Sequence, residues 1–427
     1  MSIPHYEIHF NKDATEVDSS QFDILTKAIK ENDYTDLIVI SHGWNNNIND
    51  ARKLYTGLLE LISAAITAKH DVSKRFASLN LFWPSKKFTD AELIPGGAAS
   101  TDNSKEKSRL ETEWTKMADL IDDEYTQEAY EKILIGIQSD ESEDELSPQF
   151  QKIIASLNGG EENSELFNNL SNEKVKAFLQ DGSLPYLETG QEAGGAASID
   201  DNGGIKSEDG YALGFFSGIN QGIANIINLT TYYKMKARAG EIGSKGLNPL
   251  LSDIKETKPD INIHLIGHSF GARLVTSSLQ GIKSVEVKTL ALLQAAFSHY
   301  AFANQYDEIN DGFFRTVLIG SKVKGAILIT HTRADRAVGL SYALASRLAG
   351  QVADAVGGET SLYGGLGGNG AQKTPEVDNN ITLRLAAGSN QFEAGKVYNL
   401  LSNDIIGGHS DIVKPEVASA LVNAFLL

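Results

Sequence analysis

The chain of 427 residues contains no cysteine. That absence excludes disulfides, thiolate nucleophiles, Cys-ligated zinc and iron–sulfur clusters together, so covalent chemistry must come from oxygen or nitrogen. Long hydrophobic runs are missing as well. No stretch approaches the roughly 18 consecutive apolar residues of a membrane-spanning helix, and no integral membrane association is expected. The opening residues, MSIPHYEIHFNKDATE, lack a basic n-region and an apolar h-region, so a conventional secretion signal is not expected. The expectation is a cytoplasmic protein, with export by a route that reads no N-terminal signal as the alternative.

Basic residues are few relative to acidic ones, 38 Lys and Arg against 56 Asp and Glu, for a formal charge of −18. This argues against electrostatic attraction to nucleic acid or anionic lipid, and no nucleic-acid partner is expected. The deficit is local. Residues 101–210 hold 26 acids and 9 bases, whereas the rest of the chain holds 30 acids and 29 bases. A near-neutral body therefore carries one acidic insert. With 41% hydrophobic and 22% charged residues the chain reads as globular, and its length suits one enlarged domain or two.

Asp36-Leu37-Ile38-Val39-Ile40-Ser41 is a continuous apolar, β-branched run of the kind found in a strand covered on both faces. A turn-rich cluster, His42 to Asn47, follows it. Ala51, Leu54, Tyr55, Leu58, Leu61, Ile62 and Ala65 then recur at helical spacing. The same strand, loop and helix grammar returns at Ile261–Ile266 with a helix through Leu274, Val275 and Leu279. It returns again at Lys324–Thr330 with a helix from Ala337 to Leu348. Ala77–Trp83, Val285–Leu293 and Lys396–Leu401 read as further strands, and Pro415 opens a closing helix. Strands alternating with helices predict an α/β fold with a mainly parallel sheet.

From Pro84 to about Gly210 the grammar changes. Helix-like patches at Gln127–Ile137 and Glu173–Leu179 lie among acidic runs, of which Asp140 to Glu145 is a solvated charge block. Gly190–Gly204 and Gly357–Gly370 are glycine-rich and read as mobile.

Gly267-His268-Ser269-Phe270-Gly271 fits G-x-S-x-G after an apolar strand and before a helix, the setting in which the motif carries chemistry. The glycines permit a sharp turn that lifts the serine off the sheet, and the helix N-terminus favours negative charge beside it. Ser269 is thus the candidate nucleophile, against the plainer reading of a helix-starting serine. A serine hydroxyl needs an imidazole to take its proton. His409 lies in a turn-prone loop after the last predicted strand, and such loops gather at the carboxyl ends of strands. His299 and His331 are rivals, His264 reads as a satisfied core residue, and His268 is expected to point away from the serine. Asp335, just beyond a strand end, is the candidate carboxylate that orients the imidazole. The competing reading makes it a helix cap, and Asp307, Asp311, Asp404 and Asp411 are substitutes. The oxyanion of an acyl-transfer intermediate needs two backbone N–H donors. Phe270 and Trp44 are the candidates, with Gly43 allowing close approach of the backbone. His42, Gly43 and Trp44 are read as substrate-binding, and the Trp44 indole lines the acyl pocket unless it is a packing aromatic.

These motifs resemble the α/β-hydrolase superfamily. Ser41-His42-Gly43-Trp44 is similar to its oxyanion loop, Gly267–Gly271 to its nucleophile elbow, Asp335 to its acid loop and His409 to its histidine loop. Ser41–Asn46 taken with Gly267–Arg273 looks like a bacterial branch of serine hydrolases whose substrates are generally unassigned. The resemblance covers residues 1–84 and 211–427 and leaves 85–210 as an insertion, either a cap over the site, as it is commonly in this superfamily, or a solvated decoration. It implies an α/β-hydrolase fold, a doubly wound and mainly parallel sheet, and hydrolysis of a small-molecule or lipid-like ester without metal or cofactor. Serine peptidases and amidases share the apparatus. A non-catalytic protein that keeps the fold and docks a basic protein partner on the acidic insertion is the alternative from another class.

Overall fold

The computed structural model describes residues 3–44, 46–69, 74–85, 114, 124–139, 143–156, 197–199, 205–207, 219–335, 364–385 and 390–427. The chain divides into two compact units, one of residues 1–86, 236–339 and 357–427, the other of 87–235 and 340–356. The second unit therefore extends past the boundary at 210 expected from composition. The division falls inside the continuous helix Ile219–Glu241, where no glycine or proline cluster marks it.

The first unit is built on eight strands: β1 (His5–His9), β2 (Asp36–Ser41), β3 (Phe76–Phe82), β6 (Asn262–His268), β7 (Thr289–Leu293), β8 (Ile327–His331), β9 (Val377–Thr382) and β10 (Val397–Leu401). A hairpin of β4 (Ala197–Ile199) and β5 (Ile205–Ser207) belongs to the second unit. The sheet order is β1-β3-β2-β6-β7-β8-β10-β9, and every pairing in it is parallel.

Parallel strands need crossovers, so both faces are covered and the central strands are largely apolar rather than alternating. Residues 36–41, 76–82 and 289–293 are accordingly buried at every position. One face presents Ile38, Ile40, Ile266, Ala291, Leu293, Leu328 and Leu400 to a core shared with helices Ile48–Lys69 and Pro415–Phe425. Residues of opposite parity, such as Leu37, Val39, Leu265, Leu290 and Ile329, are equally buried on the other face. There helix Phe270–Ser277 packs on β2, β6 and β7, beside a π-helical turn at Ile242–Leu247.

The expected central strands and the closing helix are present with Pro415 in its first turn, which lacks amide partners in any case. The helix expected at 337–348 lies outside the described residues. The winding reverses between β2 and β6, so the chain connections diverge there and leave a crevice at the carboxyl ends of these two strands. The register sets Ser41 beside Gly267, His268 beside Leu293, and Leu401 beside His331, which gathers the loops that follow β2, β6, β7, β8 and β10 at one end.

In the second unit, helices Glu124–Gln138 and Glu143–Ser156 pack together around Trp114, Tyr130, Ile133, Phe150 and Ile153. Trp114 stacks on Tyr130 at 4.1 Å between ring centroids and donates its indole N–H to the Tyr130 carbonyl at 3.0 Å. The helical patch expected at Gln127–Ile137 lies in the first of these helices, and Glu143–Glu145 of the charge block open the second. The patch Glu173–Leu179 and most of the glycine-rich stretch 190–204 lie outside the described residues. Among the described residues no helix is long and apolar enough to cross a membrane.

Candidate active site

Ser269 follows the last residue of β6 and precedes helix Phe270–Ser277, with φ 56° and ψ −123°. A side chain other than glycine pays about 1–3 kcal/mol in such a region, and such strain clusters at functional sites. The left-handed conformation thus sits on the serine itself. Gly267 and Gly271 are required for a different reason from the expected turn. A Cβ on Gly267 would lie 2.4 Å from Ala272 Cα, and one on Gly271 would lie 2.3 Å from the Ser41 carbonyl oxygen. Glycine at both positions lets the helix close directly onto the strand ends.

The structure brings Ser269, His409 and Asp335 together. His409 Nε2 lies 2.8 Å from Ser269 Oγ, and its Nδ1 lies 3.0 and 2.9 Å from the two Asp335 carboxylate oxygens. With a carboxylate on Nδ1, that nitrogen carries the proton and Nε2 is left to accept from the serine hydroxyl. Asp335 is buried, while the His409 side chain keeps 12% of its surface exposed. The rivals are engaged elsewhere. His299 is buried with Nδ1 on Asn369, His264 is buried between Asp36 and Thr289, and burial holds His331 down at about 4. Asp307 and Asp311 hold backbone amides of their own loop, Asp411 accepts from the Gly407 N–H, and Asp404 is exposed.

Two peptide planes flank the serine, and both are anchored by their carbonyls. The Gly43 oxygen accepts from His42 Nδ1 at 2.9 Å and from Asn46 Nδ2 at 3.2 Å. The Ser269 oxygen accepts from the Ala272 N–H at 3.1 Å and the Ala296 N–H at 3.3 Å. In a trans peptide the next N–H points opposite to the carbonyl, so these bonds fix the directions of the Trp44 and Phe270 N–H groups. Gly43 packs so closely that a Cβ there would lie 2.6 Å from Ser269 Cβ. The Trp44 and Phe270 rings lie 6.0 Å apart, with Phe270 buried and Trp44 half-buried.

His42 departs from the substrate-binding expectation. Its imidazole is buried, stacked on Trp83 at 5.5 Å, and its Nε2 accepts from the Trp83 N–H at 3.3 Å. Burial pushes it down to about 4, so it is neutral with the proton on Nδ1. It shapes the loop from within because the apolar wall of Tyr55, Phe82 and Trp83 encloses it.

Further residues at the site carry no motif. Gln294 directly follows β7, is fully buried, has φ 46°, and donates from Nε2 to Asp335 Oδ2 at 2.9 Å and to the Gly367 carbonyl at 3.0 Å. A polar residue directly after the apolar run TLALL is the hint of it in sequence. Asn403 Oδ1 accepts from the Arg333 N–H at 3.0 Å and the Thr332 hydroxyl at 3.2 Å, tying the loop of His409 to that of Asp335. His268 donates from Nε2 to the His409 carbonyl at 2.9 Å, so its ring faces the His409 loop rather than turning away from the site.

Of the glycine-rich stretch Gly357–Gly370, residues 357–363 lie outside the described residues, and 364–370 depart from the expected mobility. The segment 364–370 is mostly buried and contains a helical turn at Leu366–Asn369, and a Cβ on Gly367 would lie 2.7 Å from the Gln294 carbonyl carbon. Gly367 serves close backbone approach, and Gly370 adopts a positive φ of 70°.

The family model "Alpha/beta hydrolase of unknown function (DUF900)" matches residues 225–358, a span that includes Ser269 and Asp335 but not His409. No curated protein and no solved structure matched the chain. The all-parallel, doubly wound sheet with helices on both faces, together with this match across its central strands, gives the chain an α/β-hydrolase fold.

Proposed function

We propose that the chain is a serine hydrolase that cleaves carboxylic esters through an acyl-serine intermediate. The observation that carries this reading is the unbroken relay from Ser269 Oγ through the His409 imidazole to the Asp335 carboxylate, with heavy-atom distances of 2.8 and 2.9 Å. Ser269 Oγ attacks the ester carbonyl carbon while its proton passes to His409 Nε2. Asp335, held by Gln294, stabilises the resulting imidazolium and keeps its orientation. The oxygen of the tetrahedral intermediate takes hydrogen bonds from the N–H groups of Trp44 and Phe270, whose directions are set before substrate arrives. Collapse breaks the C–O bond, and His409 returns the proton to the leaving alcohol. Water, deprotonated by His409, then attacks the acyl-serine and releases the acid with Ser269 restored. The paired rings of Trp44 and Phe270 beside those donors support an apolar acyl group.

Labelling with a fluorophosphonate probe and mapping of the adduct tests the reading. A tag on Ser269 is expected, lost in Ser269→Ala and slowed by about 10⁴-fold or more in His409→Ala. No label on folded protein would overturn the reading. A panel of p-nitrophenyl esters and the matching p-nitroanilides tests the bond cleaved, with faster turnover of the anilides pointing to a peptidase or amidase.

A further inference from the structure

We infer that His268 is a positioning residue that holds the His409 backbone at a set distance from Ser269. The inference rests on the catalytic reading of Ser269 and His409. Hydrogen bonds of the His409 loop largely close it on itself. Ile405 and Ile406 donate to the Ser402 carbonyl, Asp411 donates to Gly408, and Gly407 donates to the Asp411 side chain. These bonds shape the loop but do not tie the His409 main chain to the strand that carries the serine. The bond from His268 does so, linking the end of β6 to the His409 carbonyl at 2.9 Å.

A carbonyl only accepts, so His268 Nε2 bears the proton and Nδ1 is a lone pair. Among the described residues Nδ1 has no hydrogen-bond partner, and a Cβ on Gly43 would lie 3.1 Å from it. The ring is thereby wedged between the oxyanion loop and the base loop, 5.0 Å from the His409 ring. Burial, reinforced by the adjacent His409, holds His268 down at about 3. It therefore stays neutral and does not repel the imidazolium that forms on His409. Because His268 and Ser269 are consecutive, nucleophile and base are both referred to one rigid strand end. A relay that works at 2.8 Å loses rate steeply when a loop drifts, and a short anchor beside the nucleophile limits that drift.

The test compares His268→Gln, His268→Asn and His268→Phe with the wild-type full chain. Glutamine carries an N–H near the place of Nε2, asparagine reaches only as far as Nδ1, and phenylalanine keeps the ring without a donor. Each is measured for the rate of fluorophosphonate labelling at Ser269, for kcat and KM on p-nitrophenyl acetate, and for thermal midpoint. Labelling and kcat are expected to fall about ten-fold in His268→Phe and His268→Asn with KM nearly unchanged, and to recover in His268→Gln. Equal labelling in all three folded variants overturns the inference, as does a loss of thermal midpoint with no change in labelling. If His268→Phe fails to fold, the Gln and Asn pair still decides, since a positioning role separates them and a packing role does not. Absence of label on wild-type Ser269 would overturn the catalytic reading and this inference with it. Label on the wild type that persists undiminished in His268→Asn would overturn this inference alone.

Discussion

Two hydrogen-bonded chains of aspartate, histidine and a hydroxyl residue occupy opposite ends of the same sheet. At the amino ends, Asp36 Oδ1 lies 3.0 Å from His264 Nε2, and His264 Nδ1 lies 3.1 Å from Thr289 Oγ1. At the carboxyl ends, Asp335, His409 and Ser269 repeat those residue types at similar distances. The two differ in what surrounds the hydroxyl. Thr289 lies in the ladder opposite His264, has no exposed surface, and gives its hydroxyl proton to the neutral His264 Nδ1. Ser269 is lifted off the sheet by a left-handed backbone, and the histidine beside it keeps some exposed surface. Residue types at hydrogen-bonding distance do not make a nucleophile. In the proposed catalytic reading the hydroxyl must also stand where a substrate can reach it, and Ser269 lies at a strand end beside the point of reversed winding.

The sharpest way to break the comparison is to disable the carboxylate at each end. Asp335→Asn is expected to slow fluorophosphonate labelling by about 10⁴-fold, because the imidazole loses its orienting partner. Asp36→Ala is expected to leave the labelling rate within about two-fold and instead to lower unfolding free energy by about 1–3 kcal/mol, since it leaves the buried His264 N–H without its acceptor. Chemical denaturation and labelling kinetics on the same two proteins check both.

Acid is expected to weaken both ends together. His42 and His268 at the carboxyl end are held down at about 4 and about 3, chiefly by burial. At the amino end His264 is also depressed by burial. Asp36 lies below its ordinary range as well: burial alone would raise it, but the His264 and Thr35 hydrogen bonds and the Lys74 charge outweigh that. Each depressed histidine takes up a proton more readily in the unfolded chain. Its contribution is complete above about 6.5 and is lost as pH falls toward the folded value. At pH 5 the loss is about 2 kcal/mol for each of His42 and His268. Asp36 acts in the same direction, its contribution being present above about 3.9 and lost at lower pH. Thermal midpoints are expected to stay level from pH 8 to about 6.5 and to decline from there to pH 4, and a midpoint independent of pH would contradict the buried, neutral state of these histidines.

The smallest effect on stability concerns the strained serine. Ser269→Gly removes a Cβ from the left-handed region and is expected to raise stability by about 1 kcal/mol while abolishing labelling. No such gain is expected at Thr289, which sits in ordinary strand geometry.

Much of the fold was legible because the central strands are continuous apolar runs with helical periodicity after them, as at Asp36–Ser41 and the helix Ile48–Lys69. The strands His5–His9 and Val377–Thr382 were not. Their sequences, HYEIH and VDNNIT, are too polar to read as strands, and they become so by pairing with β3 and β10 at the sheet edges. At the site, Ser269 was legible from its motif, and His409 and Asp335 from their places after strands. The contacts of His268 and Gln294 were not, because their partners lie far along the chain.

The amino-acid sequence by itself determined the alternating strand and helix order, the glycines that let a helix close on the end of β6, and the serine between them. These follow from local sterics and hydrophobic periodicity, which neighbours in sequence decide. Only the tertiary structure decided which histidine met which carboxylate. His264 and His409 are the same residue type, and the parallel register set one in the core beside Asp36 and the other at the strand ends beside Asp335 and Ser269. Pairings between residues far apart in the chain depend on strand order and register, which no short stretch of sequence contains.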